Sequence, residues 1–323
     1  MNGTMRIKPC YVYMTVIIIQ AGLLIYYKNK YDATYSLLNI SYIDTFWYPT
    51  AITPVVHPKR VSEVSFNRSF VVAMVCCRDV ARFLPHFRRN IETILTIFKD
   101  YRLLLGESDS VDDTLTYLNN WSSTNSKVLT YTYGNLTNTY STRRTDRIAY
   151  CRNHLLNTIR EKQWISQAQF LLVLDADINA NPILSLDNFR TNFHYNLNEW
   201  GAMTASQTIR YYDIWALRSA VVNYDCWKEV SKHPQYYNLA VKIYIDVHTK
   251  PIPKDYNLIP AQSAFGGFAV YQTRYLTNCT YDSFDNESVY EKCEHVSFNE
   301  CVDRNGGKIF VNPAFQNSNG LPT

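Results

Sequence analysis

The chain carries no GxxxxGK[ST] anywhere in its 323 residues, which removes P-loop nucleotide chemistry. It also lacks a GxSxG nucleophile elbow, so serine-hydrolase chemistry of that kind has no nucleophile. No cysteine pair shows CxxC spacing, and no zinc site is written in the sequence. There is no dense Lys/Arg run; the net charge of +4 is weak and spread out, so nucleic acid is not implied as a partner. No internal repeat or low-complexity block is present. Glycine is scarce, at 10 residues.

What is present points to one catalytic-sized domain with appendages. The length exceeds one typical domain and falls short of two large ones, and a hydrophobic content of 46% is enough to bury a core. Tyrosine is heavily used, at 26 residues. Residues 1–10 form a short tail. Residues 11–27, YVYMTVIIIQAGLLIYY, run uncharged between Arg6 and Lys8 on one side and Lys28 and Lys30 on the other. A run of that length sits near the lower limit for a spanning helix, and tyrosines at both edges suit an interfacial belt. IYYKNK offers no small-residue cleavage site, so the reading is a membrane anchor rather than a signal peptide. The expected placement is single-pass, type II, in a Golgi or ER lumen if the source is eukaryotic. Residues 28–66, with Pro49, Pro54 and Pro58, read as a stem. The catalytic domain is expected over 67–316, with a tail at 317–323.

Cysteines leave the compartment open. Cys279, Cys293 and Cys301 cluster, and two of them could pair in an oxidising lumen, but seven cysteines after the tail leave at least one free thiol. Sequons at Asn39, Asn67, Asn120, Asn135, Asn278 and Asn286 barely exceed the roughly four matches that chance gives at this composition.

From Phe70 onward strands and helices alternate. FVVAMVC and FLLVL (residues 70–76 and 170–174) are continuous apolar runs suited to strands buried on both faces. Between them lie a helical pattern over 79–101, YRLLL running into GESDSVDDT, a short helix from Thr114, KVLTYTY, and a long amphipathic helix over 145–164. That order predicts an α/β fold with a doubly wound, mostly parallel sheet. Further on, residues 201–207 (GAMTASQ) and GGKIFVNP read as strands, and residues 219–254 carry no clear signature.

The chemistry concentrates after FLLVL. Asp175-Ala176-Asp177 places two carboxylates at a strand end, where they can converge on one divalent cation. Mn2+ or Mg2+ there would offset charge on a nucleotide-diphosphate leaving group. A haloacid-dehalogenase phosphatase would need DxDx[TV] after its first strand; here Asn179 stands at the last position and the motif follows the fourth strand.

The stretches VCCRDVARFL, LLLGESDSVDDTLTYL, RTDRIAYCRNHLL, LLVLDADI, YYDIWALR, SAFGGFAVY and CEHVSFNECVDRNGGKIFVNP, in this order, resemble GT-A (nucleotide-diphospho-sugar transferase) glycosyltransferases. The nearest resemblance is to the fungal capsule-associated α-1,3-mannosyltransferase group, glycosyltransferase family 69. It implies a metal-dependent transferase with a nucleotide-sugar donor, GDP-mannose favoured and a UDP-sugar possible, and a glycan or glycoconjugate acceptor.

Residue roles follow from chemistry and resemblance together. Donor binding is assigned to Arg78, Glu107, Asp112, Arg144, Arg147, Arg152 and Asp175, with Arg144 and Arg147 sharing a face to clamp phosphates. Asp112 could instead cap the next helix, and the arginines could form a solvated basic face. Acceptor binding falls to Asp213, Trp215, Gly266 and Gly267, with the glycines permitting close backbone approach or merely a bulge. Glu294 and His295 are the candidate catalytic residues, and His295 joins Asp175 and Asp177 as a candidate metal ligand. Two other classes stay open: a noncatalytic membrane-tethered sugar-binding module, and a metal-dependent nucleotidyltransferase or phosphohydrolase.

Overall fold

The computed structural model describes residues 20–30, 65–284 and 290–321. Residues 20–30 form an 11-residue helix that covers only the second half of the expected anchor. Among the described residues no helix is long and apolar enough to cross a membrane. The expected single-pass, type II placement is therefore corrected: of the expected anchor the described residues hold 20–27, and this stretch runs directly into the charged Lys28 and Lys30. Residues 11–19 and most of the expected stem (31–64) lie outside the described residues.

Eight strands form one sheet: β1 (Phe70–Cys77), β2 (Asp100–Glu107), β3 (Val128–Thr132), β4 (Phe170–Leu174), β5 (Ala202–Gln207), β6 (Ile259–Ala261), β7 (Phe268–Gln272) and β8 (Ile309–Ser318). Their spatial order is β3-β2-β1-β4-β7-β5-β8-β6. β3, β2, β1 and β4 are mutually parallel, as the alternation of strand and helix requires. β7 then enters antiparallel between β4 and β5, and β6 runs antiparallel to β8 on the far edge. The sheet is thus mixed, with two reversed strands that the sequence pattern does not announce. β8 reaches Ser318, which pairs with Gln207, so the expected tail at 317–323 begins inside the last strand.

The helices of eight residues or more in the domain are α1 (Leu84–Leu95), α2 (Thr114–Thr124), α3 (Arg144–Glu161), α4 (Tyr237–Tyr244) and α5 (Glu294–Arg304). Alternate residues of a strand face opposite sides, and the core divides accordingly. Val71, Ala73 and Val75 of β1 pack with Phe87 and Ile91 of α1 and Trp121 of α2. Val72 and Met74 pack on the other face with Leu155, Leu156 and Ile159 of α3 and with Phe298 and Val302 of α5. Each fully buried side chain of this kind stabilises the fold by about 1.5–3 kcal/mol relative to exposure. A third cluster, including Tyr211, Leu217, Val222, Val230, Ala240 and Tyr244, gives the segment between β5 and β6 a core of its own.

Candidate active site

β1 and β4 are parallel neighbours, so their carboxyl ends open on the same edge of the sheet, where ligands of such sheets bind. Arg78 and Asp79 follow β1, and Asp175-Ala176-Asp177 follows β4. The Asp175 N–H donates to the Gly267 carbonyl at 2.9 Å, and the Asn179 amide donates to the Asp175 and Gly267 carbonyls at 2.7 and 2.6 Å. The loop that carries both carboxylates is thereby fixed to the turn before β7.

That turn needs glycine. Gly266 and Gly267 have φ of 62° and 79°, and a Cβ on Gly266 would lie 2.3 Å from the Ala205 carbonyl oxygen. The Gly266 carbonyl accepts from Gln207 and Asn317, both buried. The pair expected to approach the acceptor instead ties β5, β7 and β8 together at the edge of the site.

Two adjoining cavities open here. The first, of ≈ 220 Å³, is lined by Arg78, Arg144, Arg147, Arg152, Asp175 and Asp177, among others. The second, of ≈ 250 Å³, is lined by Tyr212, Asp213, Trp215, Trp227, Glu294 and His295. Arg144, Ile148, Arg152 and Asp175 line both.

Arg152 is the link between them. It projects from α3, is buried, donates to Asp175 Oδ1 at 3.2 Å and forms an ion pair with Glu294 Oε1 at the start of α5. Burial opposes its charge, but the Glu294 and Asp175 carboxylates outweigh that and hold the guanidinium above its ordinary range. Burial pushes Asp175 up to about 7, with Asp177 and Asp213 adding to the rise and Arg152 and Arg144 opposing it. The Asp177 side chain is half-buried and makes no hydrogen bond or ion pair among the described residues; its backbone carbonyl accepts from the Ala180 N–H at 3.4 Å. Arg144 is exposed and likewise makes no such contact, so its charge is available to a ligand.

Other expected donor residues are occupied internally. Glu107 is buried and accepts from the Ser110 N–H at 3.0 Å and the Thr132 hydroxyl at 3.0 Å. Asp112 accepts from the Ala81 N–H and from that of Thr114, the first residue of α2, whose N-cap Asp113 makes no side-chain cap bond. Arg147 donates to the Ser141 and Thr142 carbonyls while its side chain still borders the first cavity. Arg78 is about half exposed and lies 3.4 Å from Asp79.

In the second cavity Asp213 accepts from the Gly266 N–H at 3.0 Å; burial raises its carboxyl to about 6 despite that bond and a second from Ala216. The Trp215 indole donates to Asp225, which also pairs with Arg218. His295 is buried with its ring stacked on Phe265 at 3.7 Å, and neither ring nitrogen has a hydrogen-bond partner among the described residues. Burial and the Arg152 charge hold its imidazole well below the ordinary histidine range, so it is neutral.

The donor set bears on a metal. Among the described residues no three His, Cys, Asp or Glu side chains gather round one point. His295 is thus not brought into a group with Asp175 and Asp177, because its ring is sandwiched against Phe265 beside the Arg152–Glu294 pair. Two carboxylates remain, one of them without a protein partner. That suits a hard cation that takes one or two carboxylates and completes its sphere with phosphate and water.

Two features escaped the sequence. Cys76, at the end of β1, is disulfide-bonded to Cys151 of α3, and both line the first cavity. Cys279 pairs with Cys301, within the cluster expected to pair, and Cys77, Cys226 and Cys293 are free and buried. The Arg152–Glu294 pair joins residues 142 apart in the chain. No local signal announces a contact of that range.

No family model and no curated protein matches the chain. Similar solved structures include the mannosyltransferase PcManGT from Pyrobaculum calidifontis in complex with GDP-Man and Mn2+, at 12% identity and a TM-score of 0.44 over 97% of this chain and 68% of that one. S. aureus TarS (residues 1–349) follows at 11% identity and a TM-score of 0.41, over 75% and 57% of the two chains. Glucosyl-3-phosphoglycerate synthase from Mycobacterium tuberculosis, in complex with UDP, is similar at 10% identity and a TM-score of 0.36, over 73% and 67%. None of these bears on glycosyltransferase family 69, and likeness at this level says nothing of this chain's chemistry.

Proposed function

We propose that this chain is a glycosyltransferase that moves a sugar from a nucleotide-sugar donor in the first cavity to an acceptor hydroxyl in the second. The observation that carries the reading is the placement of Asp175 and Asp177 at the end of β4, facing a cavity bordered by Arg78, Arg144, Arg147 and Arg152. Carboxylates aimed at a basic cavity suit a cation and a diphosphate held together; a neutral small molecule would need neither.

Asp177, aided by Asp175, would hold Mn2+ or Mg2+, whose chemistry is to offset charge on the departing diphosphate. Arg144 and Arg78 bring exposed positive charge to the same cavity. Arg152 keeps Asp175 in position, and Glu294 holds Arg152, so Glu294 acts through that pair. Asp213 opens on the second cavity with a carboxyl near 6, suited to take a proton from an acceptor hydroxyl at neutral pH.

GDP-mannose is the first donor to try, since the motif order resembles mannosyltransferases. The test incubates the protein with GDP-, UDP- and CMP-sugars and Mn2+, with and without saccharide acceptors, and measures released nucleotide and elongated product. Acceptor-dependent release of nucleoside diphosphate is expected. Release of sugar phosphate and nucleoside monophosphate would identify a phosphohydrolase, and binding without turnover a noncatalytic module.

A further inference from the structure

The two cavities differ in chemistry as well as place. Arginines border the first, whereas the second takes the Asp213 and Glu294 carboxylates, the Tyr212 ring and two indoles, Trp215 and Trp227. Trp215 is committed to Asp225 through its N–H. Trp227 has no such tie and is 40% exposed, an uncommon state for a tryptophan beside a cavity. It stands in the short helix Cys226–Ser231, whose start is fixed by Asp225 accepting from the Trp227 and Lys228 N–H groups at 3.1 Å. That helix belongs to the segment between β5 and β6, which has its own apolar core and covers the second cavity.

The same cavity is lined by the buried His295 ring, both of whose nitrogens are unpartnered among the described residues. Leaving buried polar nitrogens unmet is costly, so a ligand or water hydroxyl is called for there. Aromatic rings and hydroxyl-seeking groups lining one cavity match a sugar ring, which has an apolar face and a polar rim. Arg144 and Arg152 also line this cavity, but Arg152 is taken by Asp175 and Glu294, and Arg144 also borders the first cavity, where the diphosphate is expected. Asp213 then disfavours a phosphorylated or carboxylated acceptor by like-charge repulsion.

We infer that Trp227 is the acceptor-specificity residue of this site, stacking on the ring of a neutral saccharide whose hydroxyls reach His295. The inference rests on the transferase reading for the word acceptor, but saccharide binding in the second cavity can be measured without turnover. Binding of neutral methyl glycosides (manno, gluco, galacto and N-acetylglucosamine) and of mannose 6-phosphate is followed by saturation-transfer NMR on the full chain, with GDP and Mn2+ present. At least one neutral glycoside is expected to bind, and mannose 6-phosphate to bind at least 10-fold more weakly. Trp227→Ala should weaken the glycoside about 10-fold, and Trp227→Phe should restore most of it, each variant being checked for folding by its melting transition because part of the ring is buried. The inference is overturned if no neutral glycoside binds, if mannose 6-phosphate binds as well, or if Trp227→Ala binds as wild type does. If glycoside binding depends on Trp227 but no donor yields transfer, the transferase reading fails and the saccharide site stands.

Discussion

Glu294 shows how a residue's surroundings decide between two roles that its type leaves open. At the start of α5 and beside a glycine turn, it reads in sequence as an acceptor base. In the structure its carboxylate is about 6% exposed and paired with Arg152, itself about 5% exposed. Removing one member of a buried ion pair leaves the other charged and unmet, which typically costs about 3–5 kcal/mol. Glu294→Gln is therefore expected to lower unfolding stability in urea by about 3 kcal/mol, besides reducing turnover through a displaced Asp175. A stability loss below about 1 kcal/mol with turnover abolished would return Glu294 to the role of base. His295 makes the complementary point: its identity invites a metal role, but its neutral ring is stacked on Phe265, has Glu294 3.8 Å away and belongs to no group of three potential ligands among the described residues.

At the scale of elements, β1 and β4 were legible because a strand buried on both faces needs an unbroken apolar run, and few other elements do. Those two strands, with the carboxylates after β4, placed the site. β7 was not legible as a strand, because the glycine pair before it draws attention to a turn, and its reversed direction leaves no mark, since FAVYQ has the same pattern either way. Between β5 and β6, Asp213 and Trp215 stood out, but residues 219–254 carried no clear signature. The helices there are short, and their apolar residues meet only after the chain has folded back on itself. Glu107, Asp112 and Arg147 hold protein partners that their type did not announce, since residue type does not reveal that a loop's own N–H and carbonyl groups will occupy a charged side chain.

α3 supplies a pH test of how its first turn is held. Asp146 is nearly buried there and accepts from the Ser141 and Ser283 hydroxyls, each at 2.6 Å, and from Arg143 at 2.7 Å. Burial would raise its carboxyl, but these bonds win and hold it below the usual carboxylate range. A lowered value in the folded state means that the stabilisation is complete above the unfolded value of about 3.9 and is lost as pH falls through the folded one. Asp146→Asn should thus cost about 1–3 kcal/mol at pH 7, the range for hydrogen bonds to a charged group. The gap between variant and wild type should stay constant down to about pH 4 and close below it. Urea midpoints across that range check the direction, and a gap that widened in acid would contradict it.

The whole molecule is one sheet with its chemistry at one edge, and the two cavities meet at Arg152 and Asp175. The disulfide between Cys76 and Cys151 fastens α3 to the end of β1 on the wall of the first cavity, so the arginines of α3 have a fixed distance to the carboxylates after β4. A site preorganised in this way should bind nucleoside diphosphate and cation as a unit, since each supplies charge that the other needs. Any ligand that binds only the folded state stabilises it by RT ln(1 + [L]/Kd), about 2.7 kcal/mol at a hundredfold excess over Kd. GDP or UDP alone should raise the melting temperature slightly through the arginines, and Mn2+ alone should do little because Asp175 is already paired with Arg152. Together they should raise it by more than the sum of the two. Asp177→Asn removes a charged ligand at nearly constant size and touches no protein contact among the described residues. The variant should melt as wild type does without ligands, keep the small nucleotide shift and lose the synergy with Mn2+. If the synergy survives in Asp177→Asn, the cation does not sit at the end of β4. If the unliganded variant already melts several degrees lower, Asp177 holds the fold, and its freedom from protein partners is refuted.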